Sequence, residues 1–335
     1  MRYRELGKTR LRVSEIGFGC GDVGGLMVRG SYDEQLQGVS RAIKLDINYF
    51  DTAPSYGYGL SETNLGRALQ ELHPKDVVVA TKVGIRTKDL KNIRGAVQKS
   101  LKESLRRLNR ESVDVFQLHT PVGLIREARL GTLGLEDVLS SGGVADAFDE
   151  ARSQGLIRFS GFTGLGETEA LHKIVASDRF DVVQAYYNLL NPSAGFSVPS
   201  GFVGNDFKLL IRKASEKKMG VVVIRVLAGG ALGGEVARQG HATPSVGSAI
   251  TKGANYKTDT DRAKKLQFLI SGAIKSLPQA GIRFDLMNKE ISTVLVGYSN
   301  INQIDEAASC SVEEPFPKAW IDKLQDLWAS DFRKS

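Results

Sequence analysis

Short apolar runs rich in valine and isoleucine alternate with helix-length amphipathic segments from residue 16 to residue 310. Strands are predicted near 15–19, 47–51, 77–81, 113–118, 157–162, 181–185, 220–226 and 292–296. Helical periodicity falls over Asp33–Asp46, Ser61–Leu72, Asn92–Asn109, Val144–Gln154, Glu167–Ser177, Asp206–Lys218, Asp261–Leu277 and Asn302–Ser309, with Asp33, Ser61, Asn92 and Asp206 as N-cap candidates. Strict strand–helix alternation implies a parallel sheet with crossover helices, and eight strands imply a closed α/β (β/α)8 (TIM) barrel. A doubly wound open sheet would want a phosphate-binding glycine fingerprint after its first strand. Gly17-Phe-Gly-Cys-Gly21 lacks the rest of that motif.

The ends of the chain follow other patterns. Tyr3 to Val13 alternates around Gly7 as a β-hairpin would, placing a cap on the far end of the barrel. Lys318 to Ser335 reads as an amphipathic helix with Trp320, Leu324 and Trp328 on one face, where the tryptophans pack. A barrel needs about 250 residues, so the 335 present suit a single domain with insertions. Those insertions are Thr120–Gly143, Asn191–Asn205 and Gly229–Thr260, long loops after the fourth, sixth and seventh predicted strands.

Composition changes the picture little. Apolar residues make up 41% and charged residues 25%, no run approaches the roughly 20 apolar residues of a membrane span, and no signal-peptide core opens the chain, so a cytoplasmic protein is expected. The two cysteines, Cys20 and Cys310, are too few for a disulfide framework, and His73, His119, His172 and His241 lack ligand spacing; no metal is expected. The net charge of +7 is spread along the chain, and its densest stretch, Lys99–Arg110, has helical periodicity, so no nucleic-acid partner is expected.

The chemistry lies at strand ends. Asp51, Tyr56, Lys82 and His119 each stand at or just past the end of predicted strands two, three and four, the side where such barrels carry reactive groups. Taken singly, each reads as a cap, a turn aromatic or a loop residue. Jointly, a phenol beside an amine, a carboxylate that fixes the amine and an imidazole to meet a substrate oxygen make a site that protonates an alkoxide or deprotonates an alcohol. A glycosidase would need two facing carboxylates, and only Asp51 is available, already committed to Lys82.

Four segments, Asn48-Tyr-Phe-Asp-Thr-Ala-Pro-Ser-Tyr-Gly57, Leu60-Ser-Glu-Thr-Asn-Leu-Gly66, Ala80-Thr-Lys82 and Asp114-Val-Phe-Gln-Leu-His-Thr-Pro121, resemble the catalytic stretches of the aldo-keto reductases in their expected order. The resemblance covers nearly the whole chain. It implies an NAD(P)-dependent enzyme that exchanges hydride between a carbonyl compound and an alcohol, with Asp51, Tyr56, Lys82 and His119 as its tetrad and Tyr56 moving the proton. Thr163-Gly-Leu165 and Asn288 to Gly297 resemble the aldose-dehydrogenase-like branch, so a carbonyl substrate and a sugar are both open. Some family barrels act as nicotinamide-sensing regulatory subunits, although an intact tetrad argues for turnover. A homo-oligomer is compatible with the family.

By the same resemblance, NADP(H) or NAD(H) would be held by Thr163, Gln184, Arg225, Leu227, Gly229, Gly297, Ser299, Asn300, Gln303 and Glu306. Gly164 stands where many members have an asparagine, which implies an altered carboxamide clamp. Ile224 or Arg225 replaces the usual stacking aromatic, and Arg225 is open to stacking, to a phosphate or to a salt bridge. The stretch from Ser299 to Glu306 has no cation and carries Asp305 and Glu306, a local leaning toward NAD(H), with Arg238 and Lys252 as cations that the strand-seven loop could bring over the site.

Overall fold

The computed structural model describes residues 1–335 apart from 128, 130, 236, 239, 244, 245, 247–254, 313, 334 and 335. In chain order the elements are β1 (Tyr3–Glu5), β2 (Arg12–Ser14), β3 (Ile16–Gly19), α1 (Leu26–Arg29), α2 (Tyr32–Lys44), β4 (Tyr49–Asp51), α3 (Leu60–Leu72), β5 (Val78–Val83), α4 (Ile93–Leu108), β6 (Val113–Leu118), β7 (Val122–Gly123) and β8 (Leu133–Gly134). They continue as α5 (Leu135–Leu139), α6 (Val144–Ser153), β9 (Ile157–Thr163), α7 (Thr168–Ala176), β10 (Val182–Tyr186), α8 (Leu210–Glu216), β11 (Gly220–Ile224), α9 (Tyr256–Lys264), α10 (Leu277–Met287), β12 (Thr293–Gly297), α11 (Asn302–Ala308) and α12 (Lys318–Ala329).

Strands β3, β4, β5, β6, β9, β10, β11 and β12 close into an eight-stranded barrel in which every neighbouring pair is parallel. The expected (β/α)8 barrel is therefore the fold. Its strands are almost entirely buried because helices cover the outer face and side chains fill the inner one; Val78–Val83 and Val113–Leu118 are buried at every position. Burying one such side chain, Phe116 for example, contributes about 1.5–3 kcal/mol.

The N-terminal hairpin is also as expected: β1 and β2 pair antiparallel, Tyr3 opposite Ser14. Its turn presses on the barrel floor, where Lys8 N–H donates to Lys218 O at 2.6 Å. Gly7 allows that approach, with φ of +52° and a Cβ position 2.3 Å from the Gly220 nitrogen that no side chain could occupy. Leu6 and Val13 then plug the floor against Tyr49, Val78, Val115, Val182 and Val222. At the other end of the chain α12 buries Leu324 and Trp328, with Trp328 Nε1 donating to Leu189 O at 2.8 Å, so that tryptophan packs, as expected.

Several boundaries differ from expectation. The predicted helix over Asp261–Leu277 breaks: α9 ends at Lys264, and α10 begins at Leu277. Ser276 caps α10 by accepting from Gln279 N–H, and Pro278 lies in its first turn, where the missing N–H costs nothing. Ser31 rather than Asp33 caps α2, in a capping box with Glu34. Helix α3 begins after Gly59, one residue before Ser61, and α8 begins after Leu209, so the Asp206 carboxylate accepts the Lys208 N–H rather than capping the helix. Asn92 caps α4 as expected, accepting from Gly95 N–H at 2.9 Å. The long loop after β6 folds on itself through the β7–β8 pair and α5. No described helix is long and apolar enough to cross a membrane.

Candidate active site

Barrel register brings the four reactive residues together. Asp51 closes β4 opposite Ala80, Lys82 in β5 lies opposite Gln117, and His119 follows β6, its N–H donating to Val83 O at 2.8 Å. Tyr56 opens a kinked turn over Tyr56–Gly59, with its N–H on Ala53 O at 3.1 Å. The Lys82 ammonium pairs with Asp51, donates to Thr52 O at 2.7 Å and lies 4.9 Å from the centroid of the Tyr56 ring. Tyr56 and His119 meet edge to face with centroids 5.7 Å apart.

The second carboxylate oxygen of Asp51 is held by two amides, Gln117 Nε2 at 3.1 Å and Gln184 Nε2 at 2.7 Å. Gln117 was not foreseen in the sequence. The signal was there, a polar residue within a strand buried on both faces. Beneath the site, the buried Glu62 accepts from Thr81 Oγ1 at 2.5 Å and from Arg107 Nε at 2.6 Å, which ties the start of α3 to β5 and α4. Tyr58, between two glycines that share its left-handed backbone, points its side chain fully into solvent at φ of +54°.

Electrostatics follow from burial. Desolvation lowers the Lys82 amine, but the Asp51 carboxylate and Tyr56 outweigh it and hold the amine above its ordinary range. Burial also pushes the Tyr56 phenol up. Lys82 pulls the other way without overcoming it, so the expected acidification of the phenol is present only as an opposing pull. Burial, reinforced by the charges of Lys82 and Arg225, pushes the His119 imidazole down to about 3. The imidazole is neutral at physiological pH, able both to donate and to accept.

Beside this cluster a groove of about 390 Å³ runs over the ends of β11 and β12. Of the ten positions expected to hold a cofactor, Arg225, Leu227, Gly229, Gly297, Ser299 and Gln303 line it, together with Val23, Gly230, Arg238 and Tyr256. Four do not. Thr163 and Gln184 sit inside the barrel mouth, Thr163 Oγ1 donating to Gln184 Oε1 at 3.3 Å. Asn300 turns back to accept Gln303 N–H, and Glu306 points at Ser276, the cap of α10. Glu306 therefore faces away from the groove, and Asp305 is paired by Arg41 of α2, which supplies a cation the local sequence lacks. The two acids behind the NAD(H) leaning are both engaged elsewhere.

Arg238 arrives as the loop reading allowed, while Lys252 lies outside the described residues. Its guanidinium crosses the groove, donating to Gly229 O at 2.7 Å and Val23 O at 3.2 Å and lying 5.0 Å from the Tyr256 ring centroid. Arg238 Nε is buried without a partner among the described residues. A Cβ on Gly230, where φ is +103°, would project toward Arg238 and Tyr256. A groove of this volume with two guanidinium groups, an unspent buried donor and left-handed glycines fits an extended anionic ligand of dinucleotide type. The loop aromatics divide: Tyr256 lines the groove, whereas Phe196 packs on Phe284 and Trp328 and Phe202 packs against the core.

Comparison with known proteins gives one answer. The family model described as Aldo/keto reductase family matches residues 15–329. The chain is 31% identical over 322 residues to L-galactose dehydrogenase of Arabidopsis thaliana, covering 93% of this chain and 89% of that protein. It is 25% identical over 338 residues to D-threo-aldose 1-dehydrogenase of a Pseudomonas species, covering 93% of each. An aldo-keto reductase from Bacillus halodurans, solved in its holo form, superposes with a TM-score of 0.72 at 24% identity over 98% of this chain and 96% of that one, which shows the shared fold.

Proposed function

The chain belongs to the aldo/keto reductase family, and from that premise we propose that it interconverts carbonyl compounds and alcohols with NAD(H) or NADP(H), Tyr56 acting as general acid and base. The observation that carries this reading is the buried Lys82–Asp51 pair facing the Tyr56 phenol, with the neutral His119 edge-on to that ring, at the same mouth of the barrel as the groove that Arg225 and Arg238 line.

The nicotinamide cofactor, when bound, supplies or accepts the hydride. Arg238, Tyr256 and the backbone at Gly229, Gly230 and Ser299 would hold it along the groove. The chain's own residues manage the proton. In reduction, Tyr56 gives its phenolic proton to the oxygen that becomes the alcohol, and the fixed ammonium of Lys82 stabilises the phenolate left behind. Asp51, locked by Gln117 and Gln184, holds that ammonium in place without spending itself on substrate. His119 orients the same oxygen through a neutral hydrogen bond. In oxidation the steps reverse.

NAD(H) is the preferred form in this reading, because Arg238 already donates to two carbonyls and Arg41 is paired with Asp305, so neither is a free cation for a further phosphate. The similarity to two aldose or sugar dehydrogenases over 93% of the chain favours a second, narrower reading, an aldose 1-dehydrogenase. The experiment is a fluorescence titration with NADH and NADPH, followed on the same sample by turnover of an aromatic aldehyde and of free aldoses. Binding with turnover upholds the enzyme. Cofactor binding with no turnover of either would make the chain a nicotinamide-binding regulatory subunit.

A further inference from the structure

Arg225 follows directly on β11 and adopts a left-handed backbone, φ +61°, that an arginine visits only when its surroundings hold it there. They do. Its carbonyl accepts from Asn188 Nδ2 at 2.9 Å and from Ala228 N–H at 2.8 Å, and Asn188 is fully buried. The backbone is clamped while the guanidinium, half-buried on the wall of the groove, makes no hydrogen bond or ion pair with any described residue. A partly buried charge held in a costly conformation with no protein partner is a poor structural element.

Its neighbours indicate what it serves. The charge of Arg225 acts on the Tyr56 phenol, the His119 imidazole and the Tyr186 phenol. Arg225 follows Ile224, which pairs with Tyr186 across β10 and β11, so it stands at the barrel mouth and lines the groove there. Of the carboxylates nearby, Asp51 is paired with Lys82 and Asp259 with Arg262, and Glu235 lines the groove against the two guanidinium groups of Arg225 and Arg238. Since Lys82 and Asp51 offset each other, the mouth keeps a net positive charge with a planar fork of donors on it. That fork matches a carboxylate in two parallel hydrogen bonds.

We infer that Arg225 anchors a carboxylate on the substrate, so that the compound turned over is a sugar acid or an oxo acid in preference to a neutral sugar or alkanal. This rests on the reaction proposed above and narrows its substrate class. The cofactor's own diphosphate shares the anionic chemistry, but the stretch of groove around Gly229, Gly230 and Arg238 already offers it donors.

The test pairs substrates that differ only in charge, succinic semialdehyde against butanal and D-galacturonate against D-galactose, in wild type, Arg225→Met and Arg225→Lys. The wild type should favour the anionic member at least tenfold in kcat/KM. Arg225→Met should collapse that ratio through KM of the acid, and Arg225→Lys should keep an intermediate ratio, because the charge survives and the fork does not. A wild type without preference overturns the inference. So does an Arg225→Met variant that loses both members equally and binds NADH more weakly, since the guanidinium would then belong to the cofactor. A second arm needs no turnover: succinate titrated into the protein–NADH complex should perturb the NADH fluorescence in wild type and not in Arg225→Met, and no response in wild type also overturns the inference. Failure of the proposed reaction reads differently, as absent turnover of every carbonyl and sugar while succinate still binds.

Discussion

Two neighbouring regions of the barrel mouth are built on opposite terms. At the ends of β4, β5 and β6 the charged groups are engaged before any ligand arrives: Lys82 is held by Asp51 and Thr52 O, and Asp51 by two glutamine amides. At the ends of β11 and β12 the donors are left over: Arg225 has no partner among the described residues, and Arg238 keeps a buried Nε unspent. A proton-handling cluster gains from preorganisation, because charge that develops in the transition state then meets dipoles that need not move. A recognition surface gains from unmet hydrogen-bonding capacity that only its ligand satisfies. In the proposed reaction the first region would govern rate and the second choice.

The largest effect should come from the phenol. Tyr56→Phe removes one proton donor and nothing that the groove uses, so turnover should fall by about 10²–10⁴-fold while the NADH dissociation constant moves little. A single titration and a turnover assay on one preparation check this. Retained activity would remove Tyr56 from the mechanism, and lost cofactor binding would mean that the two regions are not separable.

Next in size is the pair itself. Lys82→Met leaves the Asp51 carboxylate without its cation inside the barrel, where breaking a buried pair costs about 3–5 kcal/mol. Urea unfolding should show that loss alongside lost turnover. The double variant Lys82→Met with Asp51→Asn should recover part of the stability and none of the activity. If the double variant is as unstable as the two losses added, the pair is not coupled and the description of a closed cluster is wrong.

The pH dependence separates the groups further. His119 is pushed down to about 3, so the folded state declines a proton that the unfolded chain accepts near 6.5. With more protons bound in the unfolded state, stability falls as pH drops from 6.5 toward 3, by up to about 1.4 kcal/mol per unit from this residue alone. His119→Asn should flatten that acid limb in a series of unfolding midpoints. For activity, a phenol held above its ordinary range stays protonated at neutral pH. Carbonyl reduction should then run flat through neutrality, while alcohol oxidation climbs as the medium turns alkaline.

The same contrast explains what the sequence made legible. The cluster could be read because three members stand at the end of an apolar strand, where a polar titratable residue is conspicuous, Asp51 after Tyr49-Phe50, Lys82 after Val77 to Thr81 and His119 after Val113 to Leu118, and Tyr56 follows five residues after Asp51. The local pattern marks Gln117 as a polar residue inside a buried strand, but only barrel closure shows that its amide meets Asp51. The groove was harder still. Glu306 and Asp305 read as acids facing a ligand, yet contacts across 30 residues to Ser276 and 264 residues to Arg41 redirect them. The single broken helix has a local cause that could have been read: Ser276-Leu-Pro-Gln279 is a helix start, and the apolar rhythm running into it from Asp261 hid it.

The smallest effect tests that redirection. If Arg41 is what neutralises Asp305 at the edge of the groove, then Arg41→Ala exposes a carboxylate close to Ser299 and Gln303. An NADP(H) form carries an additional dianion and should suffer from that carboxylate more than NAD(H). The pair is well exposed to solvent, 43% and 44% for the two side chains, so screening limits the effect to roughly two- to threefold in the ratio of NADPH to NADH dissociation constants. The change should shrink when the titration is repeated at high salt. A ratio that moves in favour of NADPH would show that Arg41 does not serve Asp305 in solution, and a change of tenfold or more would place that ion pair inside the cofactor site rather than at its edge.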